Sequence, residues 1–320
     1  MTQQVRDLVE KYYPNFPIRH SGKIYRDTTE FMNISYGDVI FIDGLHYMVL
    51  RDEVERRFGI DDPKYWVKRC KVLETGERKI VKLVFYEKFP ITFGNTKILC
   101  HRSPEKEARI LDIVRGDMRF MQGFSSHDDV NNNMRVIDII RGRSLDIEVH
   151  GIEEGHETYF MESFPVILEK FIGACEAIGF LHGHGEKHGD VRRDHIWIKS
   201  KTKEYCWIDF DYTYDFSQNP FALDLFGLGN ILIFIVGKGD CTVGSMLEKG
   251  FTEDDMDRLS RDDFSIIFQH RLVNLRKIYP YIPEKLNNVM LHFSLGSNVY
   301  YDTVDEMLDD LRPCLDILGP

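Results

Sequence analysis

The stretch KHGDVRRDHIWI (187–198) sets two aspartates, two arginines and two histidines between a glycine and an apolar run. Shortly after it, CWIDFD (206–211) adds Asp209 and Asp211. Short apolar runs on either side of a Lys-rich turn would bring Asp190 and Asp209 to neighbouring loops. Carboxylates that converge at strand ends suit a divalent cation and a proton acceptor. The run HGHGEKH (182–188) carries three histidines at a spacing open to a zinc site. A helix end and turn, with His188 packed beneath the loop, explains the same residues without a metal.

These residues need elements to hold them. DVIFIDGLHYMVL (38–50) places Asp43-Gly44 between β-prone runs, a hairpin signal. YWVKRCKV (65–72) and RKIVKLVFY (78–86) alternate in the same way around a TGE turn, so a small antiparallel sheet of at least four strands is expected. SPEKEARILDIVRG (103–116) reads as a helix capped by Ser103, with Pro104 in its first turn and Ala108, Leu111 and Val114 on one face. MRVIDII (134–140) is a strand. Beyond residue 160 helix dominates, in SFPVILEKFIGACEAIGFLH (163–182), the nearly all-apolar FALDLFGLGNILIFIVG (221–237), and TVDEMLDDL (303–311) with a Thr303/Glu306 capping box. This order is α+β: a strand-rich region with one helix, then a helical region.

The 320 residues suit one large domain or two lobes, and a net charge of −11 argues against general binding to nucleic acid or anionic membrane. Six scattered cysteines without a CxxC pair fit reduced thiols in a cytoplasmic protein. The amino-terminal residues lack a secretory apolar stretch, and ILIFIV (231–236) is too short to span a bilayer.

Taken together, these motifs resemble the protein-kinase-like superfamily, as a divergent member that shares features with eukaryotic-like Ser/Thr protein kinases and with aminoglycoside phosphotransferases. HGDVRRDHIWI resembles the catalytic loop and its following strand; IDFD resembles D-F-G; Lys82 in KIVKLV resembles the Lys of V-A-I-K; and Glu107 resembles its helix partner. The resemblance implies a bilobal fold, with residues 1–36 as an extension, 37–138 as an N-lobe and 139–320 as a C-lobe. It implies that Asp190 accepts or orients the acceptor hydroxyl proton, that Arg192 lies near the transferred phosphoryl group, and that Asp209 holds Mg²⁺ on ATP. It also implies that Lys82, paired with Glu107, meets the phosphates, that the backbone of Asp138 and Ile140 meets the adenine edge, and that Asp224 braces the catalytic loop. Glu105 competes with Glu107, and the apolar face at 111 and 114 favours Glu107. Lys68, Lys71 and Lys79 are expected in solvent.

The sequence departs from that pattern in four places. No glycine-rich loop stands in RDEVERRFGIDDPK (51–64), where Arg56, Arg57 or Lys64 are the available cations beside the single Gly59. Asp211 replaces the D-F-G glycine. The segment from Asp209 to Asp224 is short and lacks A-P-E, and HGD lacks the cation that would read a phosphate on that segment. His195 replaces the metal-binding Asn. Imidazole suits Mn²⁺ or Zn²⁺ better than Mg²⁺, so His195 either ligates a softer ion, braces the aspartates, or marks a silenced site. The expected function is ATP-dependent transfer of the γ-phosphate to a hydroxyl acceptor, in the Ser/Thr protein-kinase-like branch. The alternatives are a small-molecule or saccharide kinase, and a pseudokinase that binds nucleotide or a partner. One Arg of the pair 192 and 193 is expected to contact phosphate.

Overall fold

The computed structural model describes residues 3–14, 22–57, 60–93, 96–216, 218–248 and 250–319. The chain is α+β and divides into two compact units, Met1–Glu87 with Arg102–Ile140, and Lys88–His101 with Arg141–Pro320.

The first unit is built on a sheet. Its strands begin with β1 (Ile24–Tyr25), β2 (Val39–Ile42), β3 (Leu45–Arg57), β4 (Ile60–Val72) and β5 (Arg78–Lys82). The next two, β6 (Lys88–Phe93) and β7 (Thr96–Arg102), group mainly with the second unit, and β8 (Gly123–His127) and β9 (Asn133–Asp138) complete the first sheet. The order is β1-β2-β3-β4-β5-β9-β8, antiparallel except for β1 with β2. Asp43 and Gly44 both have positive φ, 48° and 81°, the left-handed pair that a two-residue hairpin turn requires. Tyr47, Val49, Cys70, Val72, Val81 and Val136 form the core on one face.

The β3–β4 pair is a long ribbon that runs from Tyr47 opposite Val72 to Arg57 opposite Ile60. It occupies the stretch where the kinase-like resemblance would place a glycine-rich loop. Lys64 is engaged there by Glu55 at 3.0 Å. Gly59 and the side chains of Arg56 and Arg57 lie outside the described residues.

Three lysines depart from the expectation of solvent. Lys68 is fully buried, and its ammonium meets the Ile34 carbonyl at 2.5 Å and the Asp52 carboxylate at 2.7 Å. Alternation puts it on the core face, so a charge inside apolar surroundings has to be paired. Lys79 bonds Asp138 at 2.7 Å and Glu77 at 3.1 Å, and Lys71 lies 3.2 Å from the Tyr13 ring centroid.

Two helices pack on this unit. Gln3–Tyr12 buries Val5 and Val9 against Val39, Met48 and Leu73, each burial contributing about 1.5–3 kcal/mol. Pro104–Ile113 is capped by Ser103, whose hydroxyl accepts from the Lys106 N–H at 3.2 Å, and it buries Ala108 and Leu111.

In the second unit the helices Phe164–Gly183 and Ala222–Val236 form the centre. The latter is buried nearly all round, and two of its glycines explain how closely it is approached. A Cβ on Gly227 would lie 2.6 Å from the Val191 carbonyl oxygen, and one on Gly229 would lie 2.3 Å from the Phe293 ring. Strands β10 (Gly142–Ser144), β11 (Ile196–Lys199) and β12 (Tyr205–Trp207) make one small sheet, and β13 (Tyr212–Tyr214) joins β7 and β6 in another, ordered β13-β7-β6. The helix Val304–Leu318 is capped by Thr303, while the Glu306 carboxylate accepts from the Asp302 N–H at 2.8 Å, one residue earlier than a capping box places it. All six cysteines are buried thiols outside any disulfide. No helix among the described residues is long and apolar enough to cross a membrane.

Candidate active site

In the first unit Lys82 and Arg135 stand directly opposite each other on β5 and β9. Both side chains therefore leave the same face of the sheet, and both reach Glu107. The Lys82 ammonium donates to one Glu107 oxygen at 2.7 Å; the Arg135 Nε donates to the other at 3.1 Å. Glu107 and Arg135 are fully buried and Lys82 is nearly so. The remaining Arg135 donors meet the Asn133 carbonyl at 2.8 Å and the Leu83 carbonyl at 3.4 Å. Buried charges survive only when paired and hydrogen-bonded, and one carboxylate here serves two cations. Glu105, the competitor of Glu107, instead accepts from the Tyr86 hydroxyl at 3.0 Å.

In the second unit Asp190 lies between the Phe164–Gly183 helix and β11, on a loop fixed from below by Asp224. Asp224 is fully buried in the first turn of its helix and accepts from the His188 N–H at 2.6 Å, the Gly189 N–H at 2.9 Å and the His182 Nε2–H at 3.1 Å. Gly189 has φ +85°, which accounts for a glycine between His188 and Asp190. Asp209 also has positive φ, 64°, a strained setting of order 1–2 kcal/mol for a residue with a side chain. Asp211, which stands in place of the D-F-G glycine, has no positive φ and is a fully buried acid.

Arg192 is held by Asp194, Nε to Oδ1 at 3.1 Å and a terminal nitrogen to Oδ2 at 2.5 Å, and its Nε lies 3.9 Å from an Asp190 oxygen. Burial raises the Asp194 carboxyl, but the Arg192 hydrogen bond, the charges of His195 and Arg192 and a backbone hydrogen bond together outweigh it, and its pKa is lowered. Burial raises the Asp190 carboxyl above its ordinary value of 3.8, with the Asp209 and Asp194 charges adding to the rise and His195 and Arg192 opposing it. Arg193 turns away from the loop: it pairs with Asp146 at 2.6 Å and Asp240 at 2.9 Å and covers the Phe234 ring. Of the two arginines, Arg192 is the one beside Asp190.

His195 is buried between the two aspartates, Nδ1 3.6 Å from Asp190 Oδ2 and Nε2 3.8 Å from Asp209 Oδ2. A nitrogen and an oxygen donor that face each other in this way fit a borderline divalent cation better than an all-oxygen Mg²⁺ shell. The histidines at 182–188 diverge: His182 meets Asp224, His184 donates its Nδ1–H to the Phe180 carbonyl, and the His188 ring nitrogen takes the Asp190 N–H. They do not form a zinc site.

The adenine-edge expectation falls on Asp138 and Ile140. The Asp138 N–H is engaged by the Gln122 carbonyl at 2.9 Å and its carboxylate by Lys79. Ile140 ends the first unit.

No family model matches the chain. No curated protein matches it either. The chain is similar in fold to a protein kinase. Rad53 1–466 in complex with AMP-PNP aligns at a TM-score of 0.50 and 15% identity, over 84% of this chain and 65% of that one. This chain thus spans about two thirds of the structure it matches, and at that identity the likeness concerns the kinase-like fold alone. Altogether 1947 chains of solved structures match, so the likeness marks a fold class rather than one protein.

Three participants escape a reading of the sequence. An Arg in a strand reads as exposed, so Arg135 gives no signal until its register with Lys82 is known. Asp194 looks like one more loop acid. The β6–β7 hairpin has alternating Phe89 and Ile91, Ile98 and Cys100, around Gly94 and Asn95, a pattern that could have revealed it.

Proposed function

We propose that this protein is an ATP-dependent phosphotransferase that moves the γ-phosphate to a hydroxyl acceptor. The observation that carries the reading is the loop at Asp190. A carboxylate with a raised pKa, braced through Asp224 and flanked by Arg192, His195 and Asp209, has the composition needed to orient a hydroxyl and neutralise a phosphoryl group. Lys82, aimed by Glu107, is assigned to a nucleotide phosphate, and the backbone at Asp138 and Ile140 to the adenine edge. Asp209 and His195 would hold the divalent cation, Mn²⁺ or Mg²⁺, which supplies charge neutralisation on the phosphates. Residues 37–138 and 139–320 are taken as the two lobes, with 1–36 as an extension, in a cytoplasmic protein.

The Asp224 brace favours a Ser/Thr protein acceptor. A second reading, a small-molecule or saccharide acceptor, is favoured by the segment that follows Asp209: it is short, and its strand β13 is already paired with β7. The test is transfer of label from γ-labelled ATP, with Mg²⁺ and with Mn²⁺, to a proteome and to a metabolite extract. Label on Ser or Thr residues supports the first reading and label only on small molecules the second. Nucleotide binding without any transfer, unchanged in Asp190→Asn, identifies a pseudokinase.

A further inference from the structure

The strand β13 begins three residues after Asp209 and pairs with β7, the second strand of the inserted β6–β7 hairpin. Its last residue, Tyr214, is fully buried against Ile98 and Cys100 of that hairpin. The Tyr214 hydroxyl accepts from the Asp224 N–H at 3.3 Å. Its carbonyl accepts from the Lys187 ammonium at 2.7 Å, and the same ammonium lies 4.2 Å from the Tyr214 ring centroid. Lys187 immediately precedes His188, and Asp224 receives the His188 and Gly189 N–H groups. One tyrosine is therefore bonded to both supports of the Asp190 loop, and the hairpin holds that tyrosine. The hairpin is also close enough to the loop for Asp190's charge to add to the raised pKa of Cys100, which is due first to burial.

We propose that Tyr214 is a positioning residue for Asp190 and that the hairpin, by fixing Tyr214, orders the loop without covalent modification of residues 209–224. The proposal rests on the phosphotransferase reading only for Asp190's role. The physical argument is local. A cation beside the catalytic loop can order the following segment by binding a phosphate on it; Lys187 instead binds a main-chain carbonyl and a ring face, both present in the unmodified chain. Burial keeps the Tyr214 hydroxyl protonated, so this tie does not titrate near neutrality. The hairpin's own outer strand is protected from pairing with other chains by Pro90 and the exposed Lys88.

The experiment uses the full chain, shown by intact mass to be unphosphorylated, and its Tyr214→Phe, Lys187→Met and Lys187→Arg variants. Hydrogen exchange is read at residues 187–191 and 209–216, and phosphotransfer is measured in parallel. The amides of 212–214 are expected to exchange about tenfold or more slowly than those of the exposed turn 200–203. Tyr214→Phe and Lys187→Met are expected to speed exchange in both segments and lower kcat by about tenfold, with KM for ATP within about twofold, and Lys187→Arg to restore most of the loss. Exchange at 212–214 as fast as at 200–203 in the unmodified chain overturns the proposal. So do variants that leave 187–191 unchanged. A chain with the expected exchange pattern but no phosphotransfer supports the tie and overturns only the phosphotransferase reading.

Discussion

The Nδ1 of His195 lies 2.9 Å from the carbonyl oxygen of Asp190. A carbonyl can only accept, so Nδ1 carries the proton, and in the neutral ring Nε2 presents its lone pair toward Asp209. The tautomer that this bond selects is the one able to ligate a metal. His195→Asn replaces that nitrogen with an amide oxygen. The ratio of Mn²⁺-supported to Mg²⁺-supported phosphotransfer is expected to be about tenfold higher in the native protein than in the variant. Equal ratios would assign His195 to bracing alone.

Asp190 should show opposite effects on activity and stability. In the proposed reaction Asp190 is the carboxylate assigned to the acceptor hydroxyl, so Asp190→Asn is expected to lower transfer by roughly 10²–10⁴. Its pKa is raised in the fold, so the protonated form is favoured there and stability linked to this group is present below 3.8 and lost as pH rises through the folded value. Above the raised folded pKa, where the carboxylate is ionised, the Asn variant should melt no lower than the native chain, and its advantage should shrink toward acid. The acid limb of the native pH–rate profile should lie above the ordinary carboxylate value.

Glu107 is shared by two buried cations, which ranks three substitutions. Glu107→Gln leaves Lys82 and Arg135 without their common carboxylate and is expected to cost about 3–5 kcal/mol in denaturant unfolding. Lys82→Met and Arg135→Met each leave Glu107 with one cation and should cost less. Lys82→Met should abolish nucleotide-dependent transfer while the fold remains measurable. A Lys82→Met variant as unstable as Glu107→Gln would contradict the shared arrangement.

Gly227 permits the contact between its helix and Val191 beside Asp190. Gly227→Ala pushes a methyl group toward the Val191 carbonyl, and a backbone oxygen cannot move away as a side-chain tip can. A loss of about 1–3 kcal/mol is expected together with lowered kcat, whereas Gly173→Ala, where an added Cβ meets nothing within 4 Å, should be neutral or better.

Much of the proposed site could be read from residue order. Lys82 and Glu107 lie on elements with clear periodicity, and capping by Ser103 fixes which helix face Glu107 occupies. Asp190, Asp209 and Asp224 are each followed or preceded by an apolar run that names its element. What escaped the sequence depends on pairing across the chain. Arg135 becomes a partner of Glu107 through strand register, and Lys68 looks exposed until Asp52 and the Ile34 carbonyl are brought to it. Lys187 and Tyr214 are 27 positions apart and meet through a carbonyl that no side-chain pattern encodes. The positive φ of Asp209 is likewise invisible in its name, because Asp tolerates that region without requiring it.

The burial of all six thiols gives the molecule an internal clock. A thiol-reactive probe added to the native chain can label a cysteine only after the structure around it opens. Cys70 belongs to the first unit, and Cys175, Cys206, Cys241 and Cys314 to the second. Mass spectrometry of the labelled peptides therefore times the opening of each unit separately, in one tube and without any introduced reporter. Cys100, on the inserted hairpin, reports when the contact with Tyr214 is lost.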